Sequence, residues 1–201
     1  RQKKISKPGN KNLLIPHHRS EENADWKKLA DLLDFDFCSP TESVDQMVKA
    51  ISFAKTVFTE SLHGAIFADS LNIPWVPIFS AKYLNFFKWK DWCASVNVKF
   101  NPVIFPRPFF CTDISLAKRV KALPKRLIGQ LGLIERYKLT PISPIKDSQL
   151  EIYAQEISNL FDNSITTLST KQKKDEILSR MHDSFVDSCT KYGLCINQDL
   201  T

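Results

Sequence analysis

A histidine and a glycine, His63-Gly64, open a stretch of helical character, and Glu60-Ser61 stand just before them. The β-branched and apolar run Thr56-Val57-Phe58-Thr59 leads straight into this group. The four residues therefore fall at the end of a strand and in the first turn of the helix behind it. The first turn of a helix has N–H groups without intrahelical partners and carries a positive partial charge, which together favour an anion. An imidazole there adds a group that holds or donates a proton near neutral pH. A second cluster, Pro16-His17-His18-Arg19-Ser20, follows the apolar run Asn12-Leu13-Leu14-Ile15 in the same way. Three of the four histidines of the chain thus follow strands, and the fourth, His182, lies far along the chain.

Each signal has a plainer reading. A single histidine in a first turn often serves packing, but two clusters of similar composition behind two strands point to one shared site. His17, His18 and His63 lack the short fixed spacing of metal ligands, so no metal is expected. Ser61 with His63 is not a nucleophile elbow, because Gly-x-Ser-x-Gly is absent. Only five glycines occur in the chain, and Gly64 belongs to no phosphate-cradling loop or dinucleotide fingerprint. Trp89 and Trp92 suit a core better than a sugar platform.

The elements that must position these residues follow from hydrophobic spacing. Residues 12–15 form a first strand, and Ser20 caps a helix with Glu21 and Glu22 in its first turn. Trp26, Leu29, Ala30 and Leu33 mark one buried helix face. Phe35–Cys38 reads as a second strand, and Ser39-Pro40-Thr41-Glu42 as a capping box. Val44, Met47, Val48 and Ile51 repeat the helical spacing. Residues 55–60 form a third strand, 61–72 a helix and 73–79 a fourth strand. Phe86, Trp89, Lys90 and Cys93 share a helix face, and residues 96–104 supply a fifth strand. Strands alternating with helices over short connections predict an α/β fold with a parallel, doubly wound sheet. In such a sheet all strands end on one edge, so His17, His18, Arg19 and Ser20 converge with Glu60, Ser61, His63 and Gly64, and with Ser80 and Lys82 behind the fourth strand.

Beyond residue 105 the rhythm changes, and helices are expected over 112–138, 146–161 and 170–190, with a linker at 141–144. Three parts result: a basic disordered tail over 1–11, a sheet-bearing lobe over 12–110 and an α-helical C-terminal extension over 111–201. The net charge of +6 is uneven, with six Lys/Arg and no acid in residues 1–19. Without aromatic stacking residues interleaved among these charges, no nucleic acid is expected as a partner. In residues 112–138 the leucines 116, 123, 127 and 131 run beside Lys118, Arg119, Lys121, Lys125 and Arg126. That stripe suits packing on the protein itself, or peripheral contact with an anionic membrane face. The five cysteines form no C-x-x-C pair, which favours free thiols in a reducing compartment. A cytoplasmic location is expected, peripheral at the inner membrane face if the stripe binds lipid. The chain begins with Arg rather than Met, and is expected to be the C-terminal part of a longer protein.

The chain resembles the bacterial polysaccharide (ketal) pyruvyltransferases of the exopolysaccharide and succinoglycan type. The resemblance rests on Ile15-Pro16-His17-His18-Arg19-Ser20, on the block from Thr59 to Leu71, on Ile73-Pro74-Trp75 and on Lys88-Trp89-Lys90-Asp91-Trp92. It covers residues 12–100 and fades beyond 110. It implies a Rossmann-like lobe, half of a GT-B fold, that binds phosphoenolpyruvate, with a further N-terminal lobe and a carbohydrate acceptor as partners. It implies His63 and Glu60 as catalytic, with Glu60 orienting His63 or accepting a hydroxyl proton. His17, His18, Arg19, Ser20, Ser61 and Gly64 would bind substrate, and no cofactor is called for. Many relatives carry Arg where Ser61 stands, so either Arg19 or a lysine helps in its place or donor affinity is weaker. Two alternatives stay open: a GT-B glycosyltransferase using a nucleotide-sugar, and a non-catalytic binding lobe.

Overall fold

The computed structural model describes residues 9–80, 86–107, 109 and 145–191. Five strands, β1 (Leu13–Ile15), β2 (Asp36–Phe37), β3 (Val57–Thr59), β4 (Trp75–Phe79) and β5 (Val103–Ile104), form one parallel sheet in the order β2-β1-β3-β4-β5. The helices are α1 (His18–Glu21), α2 (Trp26–Leu32), α3 (Val44–Ser52), α4 (Leu62–Ser70), α5 (Phe86–Ser95), α6 (Asp147–Asp162) and α7 (Lys171–Lys191). The expected α/β class and doubly wound parallel sheet are what the chain adopts.

Alternation along the strands divides the core between the two faces of the sheet. Leu13, Ile15, Val57, Trp75 and Phe79 pack with Met47 and Ile51 of α3, Ala65 and Ala68 of α4, and Trp89 and Cys93 of α5. Leu14, Phe58, Val76 and Ile78 face the other way, onto Trp26, Leu29 and Ala30 of α2 and Leu150, Tyr153, Ala154, Ile157 and Phe161 of α6. Helix α6 is therefore part of the core and not an appendage, although the sequence placed it in a separate extension. Stacking of Phe161 on Phe58 and Phe35, at centroid distances of 4.3 and 5.8 Å, fixes it there. A bridge from Trp75 to Thr167 and the bonds of Ser169 to Asp69 continue the attachment up to α7.

Pro77 lies inside the sheet, where a missing N–H is usually costly. Its neighbours show why it is tolerated. Trp75 exchanges bonds with Thr167, and Phe79 accepts Phe105 N–H. Residues of that parity point away from β3, and β5 pairs only from Ile78 onward. The position of Pro77 thus needs no donor.

Helix ends differ from the sequence reading in two places. Ser20 caps nothing: α1 is capped by His17 and α2 by Asp25, whose side chain accepts Lys28 N–H at 3.0 Å. The capping box of α3 is Ser43 with Gln46, because the helix begins at Val44; Ser39 lies before it, where its hydroxyl donates to Glu21 at 2.9 Å and accepts Thr41 N–H at 3.2 Å. Helices α2, α4 and α5 stop at Asp34, Asn72 and Asn97, with φ of 55°, 60° and 54°. These short polar side chains tolerate the left-handed region in which helices commonly end. The fifth strand is shorter than expected, since α5 runs to Ser95 and only Val103–Ile104 pair. The helix expected over 112–138, with its membrane stripe, Lys82 and residues 1–8 of the basic tail lie outside the described residues. Among the described residues no helix is long and apolar enough to cross a membrane.

Candidate functional site

The connection after β1 carries the chain to α2 on one face of the sheet, and the connection after β3 carries it to α4 on the other. The carboxyl ends of these neighbouring strands therefore part, and a crevice opens between them. The crevice is a cleft of about 510 Å³. One wall is His17, His18 and Arg19 behind β1; the floor is Glu60, Ser61 and His63 behind β3; Lys88 and Trp89 of α5 form the opposite wall. The convergence expected from the sequence is thus present for His17, His18, Arg19, Glu60, Ser61 and His63.

Thr59 and Ser61 set the floor. Thr59 Oγ1 accepts Ser61 N–H at 2.9 Å and donates to Ser61 O at 3.1 Å, which turns the chain sharply out of the strand. Ser61 then caps α4, its Oγ accepting Gly64 N–H at 3.4 Å. The N–H groups of Leu62 and His63 come before the intrahelical ladder of α4 and are left for the cleft. His63 is exposed, so its imidazole is not a core side chain.

Gly64 and Ser20, expected to bind substrate, do something else. Gly64 is buried and lies outside the cleft lining. A Cβ there would sit 2.8 Å from Thr59 Oγ1 and 3.5 Å from Ile15 Cδ1, so glycine lets the first turn of α4 close onto β1 and β3. Ser20 is buried behind the wall and hydrogen-bonds Glu60.

Glu60 is 1% exposed. Its Oε1 accepts Ser80 N–H at 2.8 Å and Ser80 Oγ–H at 2.5 Å, and its Oε2 accepts His17 N–H at 3.0 Å. The carboxylate therefore ties the end of β3 to the ends of β1 and β4. Burial pushes its pKa up, and the bonds from Ser20, Ser80 and His17 pull it back. Its hydrogen bonds go to these residues and not to His63, which departs from the expectation that Glu60 orients that imidazole. The burial that separates a strut from an acid–base group is not written in the sequence.

The His17 and His18 rings lie 4.2 Å apart at 37°. Arg19 N–H donates to His17 Nδ1 at 3.3 Å. The pKa of His17 is lowered, first by burial and then by His18 and Arg19. Lys88 and Pro40 also line the cleft and were not singled out as site residues. Lys88 was legible only as the first residue of the Lys-Trp-Lys-Asp-Trp block. Trp89 is buried at 3% exposure, so it shapes the wall as a core residue and offers no open platform. Among the described residues no group of three or more His, Cys, Asp or Glu is placed to hold a metal ion.

The cleft combines Arg19 on one wall, Lys88 on the other and the free end of a helix between them. These groups suit a small ligand with more than one negative charge. The exposed imidazole of His63 stands where it can pass a proton to that ligand.

The chain is similar to known proteins over part of its length. Residues 1–79 match the family model described as polysaccharide pyruvyl transferase, which shows the resemblance over that part of the chain. The succinoglycan biosynthesis protein ExoV of Rhizobium meliloti (strain 1021) is 28% identical over 92 residues, 46% of this chain. The chain spans 29% of the length of that relative. No solved structure matches the chain.

Proposed function

We propose that this lobe binds phosphoenolpyruvate and delivers its pyruvyl group to a sugar of a surface polysaccharide or its lipid-linked precursor, forming a pyruvate ketal. The observation that carries the reading is the placement of Arg19, Lys88 and the start of α4 around one cleft that also holds the exposed imidazole of His63. Phosphoenolpyruvate has a phosphate and a carboxylate, and two cations with free N–H groups suit both.

The chemistry requires a proton on the methylene carbon, which leaves the central carbon electrophilic. His63 is the donor of that proton in this reading. A sugar hydroxyl adds to the central carbon, the carbon–phosphate oxygen bond breaks, and a neighbouring hydroxyl closes the ketal. Of the two hydroxyl protons, one restores the acid and the other leaves with phosphate. Arg19 and Lys88 offset the charge on the departing phosphate. Glu60 acts as a strut beneath the site. A second lobe, of the kind that completes a GT-B enzyme, would hold the acceptor. The donor is a cytosolic metabolite, which puts the reaction in the cytoplasm.

Calorimetric titration separates this reading from its competitors. Binding of phosphoenolpyruvate, weakened by added salt and by Arg19→Ala, supports it. Binding of a nucleotide-sugar in its place overturns it in favour of glycosyl transfer. Binding of neither leaves a non-catalytic lobe.

A further inference from the structure

Two histidines line one wall of the cleft and a third its floor, and the geometry distinguishes one of them. His17 is the N-cap of α1: its Nδ1 accepts the Arg19 N–H at 3.3 Å. Its own backbone N–H is held by Glu60 Oε2 at 3.0 Å, and its ring lies tilted against His18 at 4.2 Å. A ring nitrogen that accepts an N–H cannot itself carry a proton. We propose that His17 works as a neutral ring with its proton on Nε2, a positioning residue that holds the Arg19 turn and presents a hydrogen-bond donor, and that it is not the acid of the cleft.

The surroundings agree. Among the described residues, the charged and titratable groups that line the cleft with His17 are His18 and Arg19 on its own turn, Glu60 and His63 from the β3–α4 junction, and Lys88 from α5. Burial, His18 and Arg19 oppose a second proton on the ring. Glu60 would favour one, but its carboxylate already accepts from Ser20, Ser80 and the backbone of His17. Protonating Nδ1 would also break the cap and release the turn that carries Arg19. The proton donor of the proposed reaction is then not His17, which leaves that role to His63. That last step rests on the pyruvyl-transfer reading; the state of the His17 ring does not.

Nitrogen-15 NMR of the histidine side chains in the full chain, assigned with His17→Asn, tests the ring directly at pH 7. A neutral ring with an unprotonated Nδ1 and a protonated Nε2 is expected. An Nδ1–H tautomer or an imidazolium overturns the proposal. Two substitutions then test the role. Asparagine places an acceptor near Nδ1 and keeps the cap, whereas alanine removes it. His17→Ala should weaken phosphoenolpyruvate binding about fivefold, the scale of a lost N-cap, and His17→Asn should restore most of it. The alkaline limb of the pH–rate profile, where a general acid loses its proton, should be the same in His17→Asn as in the parent chain; its disappearance would make His17 the acid and overturn the proposal. If phosphoenolpyruvate fails to bind the parent chain, the functional reading fails, while the NMR result still decides the state of the ring.

Discussion

Replacing Glu60 by alanine and by glutamine separates a strut from an acid–base group. In Glu60→Ala the backbone N–H groups of His17 and Ser80, at 3.0 and 2.8 Å from the carboxylate, lose their acceptor in a place with little water. Each such buried donor costs about 1–3 kcal/mol. The hydroxyls of Ser20 and Ser80 can rotate to other acceptors, and removing a buried carboxylate relieves part of its desolvation cost. A net loss of about 2–3 kcal/mol follows. For a chain of this size that lowers the thermal midpoint by roughly 5–10 °C. Glu60→Gln keeps the shape, and its carbonyl can still accept from Ser80, while its amide meets the His17 N–H donor to donor. One orphaned N–H remains, worth about 1 kcal/mol. Urea unfolding followed by tryptophan fluorescence, run beside kcat and KM, reads both effects. A strut gives a destabilised Glu60→Gln that keeps turnover within about tenfold, whereas loss of an acid–base group costs about 10²–10⁴. A Glu60→Gln chain of parental stability with turnover down by about 10² or more would refute the strut.

His63→Ala should lose about 10²-fold or more in turnover and keep its unfolding midpoint, because the side chain is exposed; an unfolded variant would contradict that placement. Gly64→Ala should cost about 1–2 kcal/mol by overpacking, since Thr59 Oγ1, 2.8 Å from the new carbon, is pinned to Ser61; unfolding at parental denaturant concentration would contradict it. Asp69 is buried and accepts Trp75 Nε1–H at 3.1 Å and Ser169 N–H at 2.8 Å, so Asp69→Ala should destabilise by about 3 kcal/mol, with phosphoenolpyruvate affinity unchanged in the folded fraction. The lowered pKa of His17 means that the unfolded chain takes up a proton near pH 6.5 that the folded ring resists. Stability from this group is therefore full above about pH 6.5 and falls on acidification; a pH dependence identical in His17→Asn would contradict it.

Hydrophobic spacing made most of the elements legible, because a strand period and a helix period are written directly in the chain. Residues 13–15, 57–59 and 75–79 are buried on both faces, and such runs stand out between amphipathic helices such as α3, where Met47 and Ile51 are buried. What a pattern cannot state is a partner. Ser39-x-x-Glu42 and Ser43-x-x-Gln46 are both capping boxes as written. Only where the backbone turns helical, at Val44, decides between them. In the same way, α6 reads as an ordinary amphipathic helix, and nothing local says that Phe58, Phe35 and Phe105 wait for Phe161. Lys88 is not legible as a site residue because it enters the cleft from α5, away from the strand ends.

The same limit applies to the site and explains its central residue. A sequence shows an acid three positions from a histidine and suggests catalysis. The fold shows a structural task for that acid. Where α2 and α4 leave the sheet on opposite faces, the ends of β1, β3 and β4 lose their pairing, and donors such as His17 N–H and Ser80 N–H must be satisfied by something other than a strand. A single carboxylate has lone pairs enough to accept from both, and from the hydroxyls of Ser20 and Ser80, at one point. An amide of the same shape would meet one of those donors with another donor. Holding the parted strand ends together keeps the crevice open, and it sets His17, Arg19 and the start of α4 around one small volume. The precision of a site built on loops depends on such a bridge, since the bridge and not the loops determines the distance between the imidazoles and the cations.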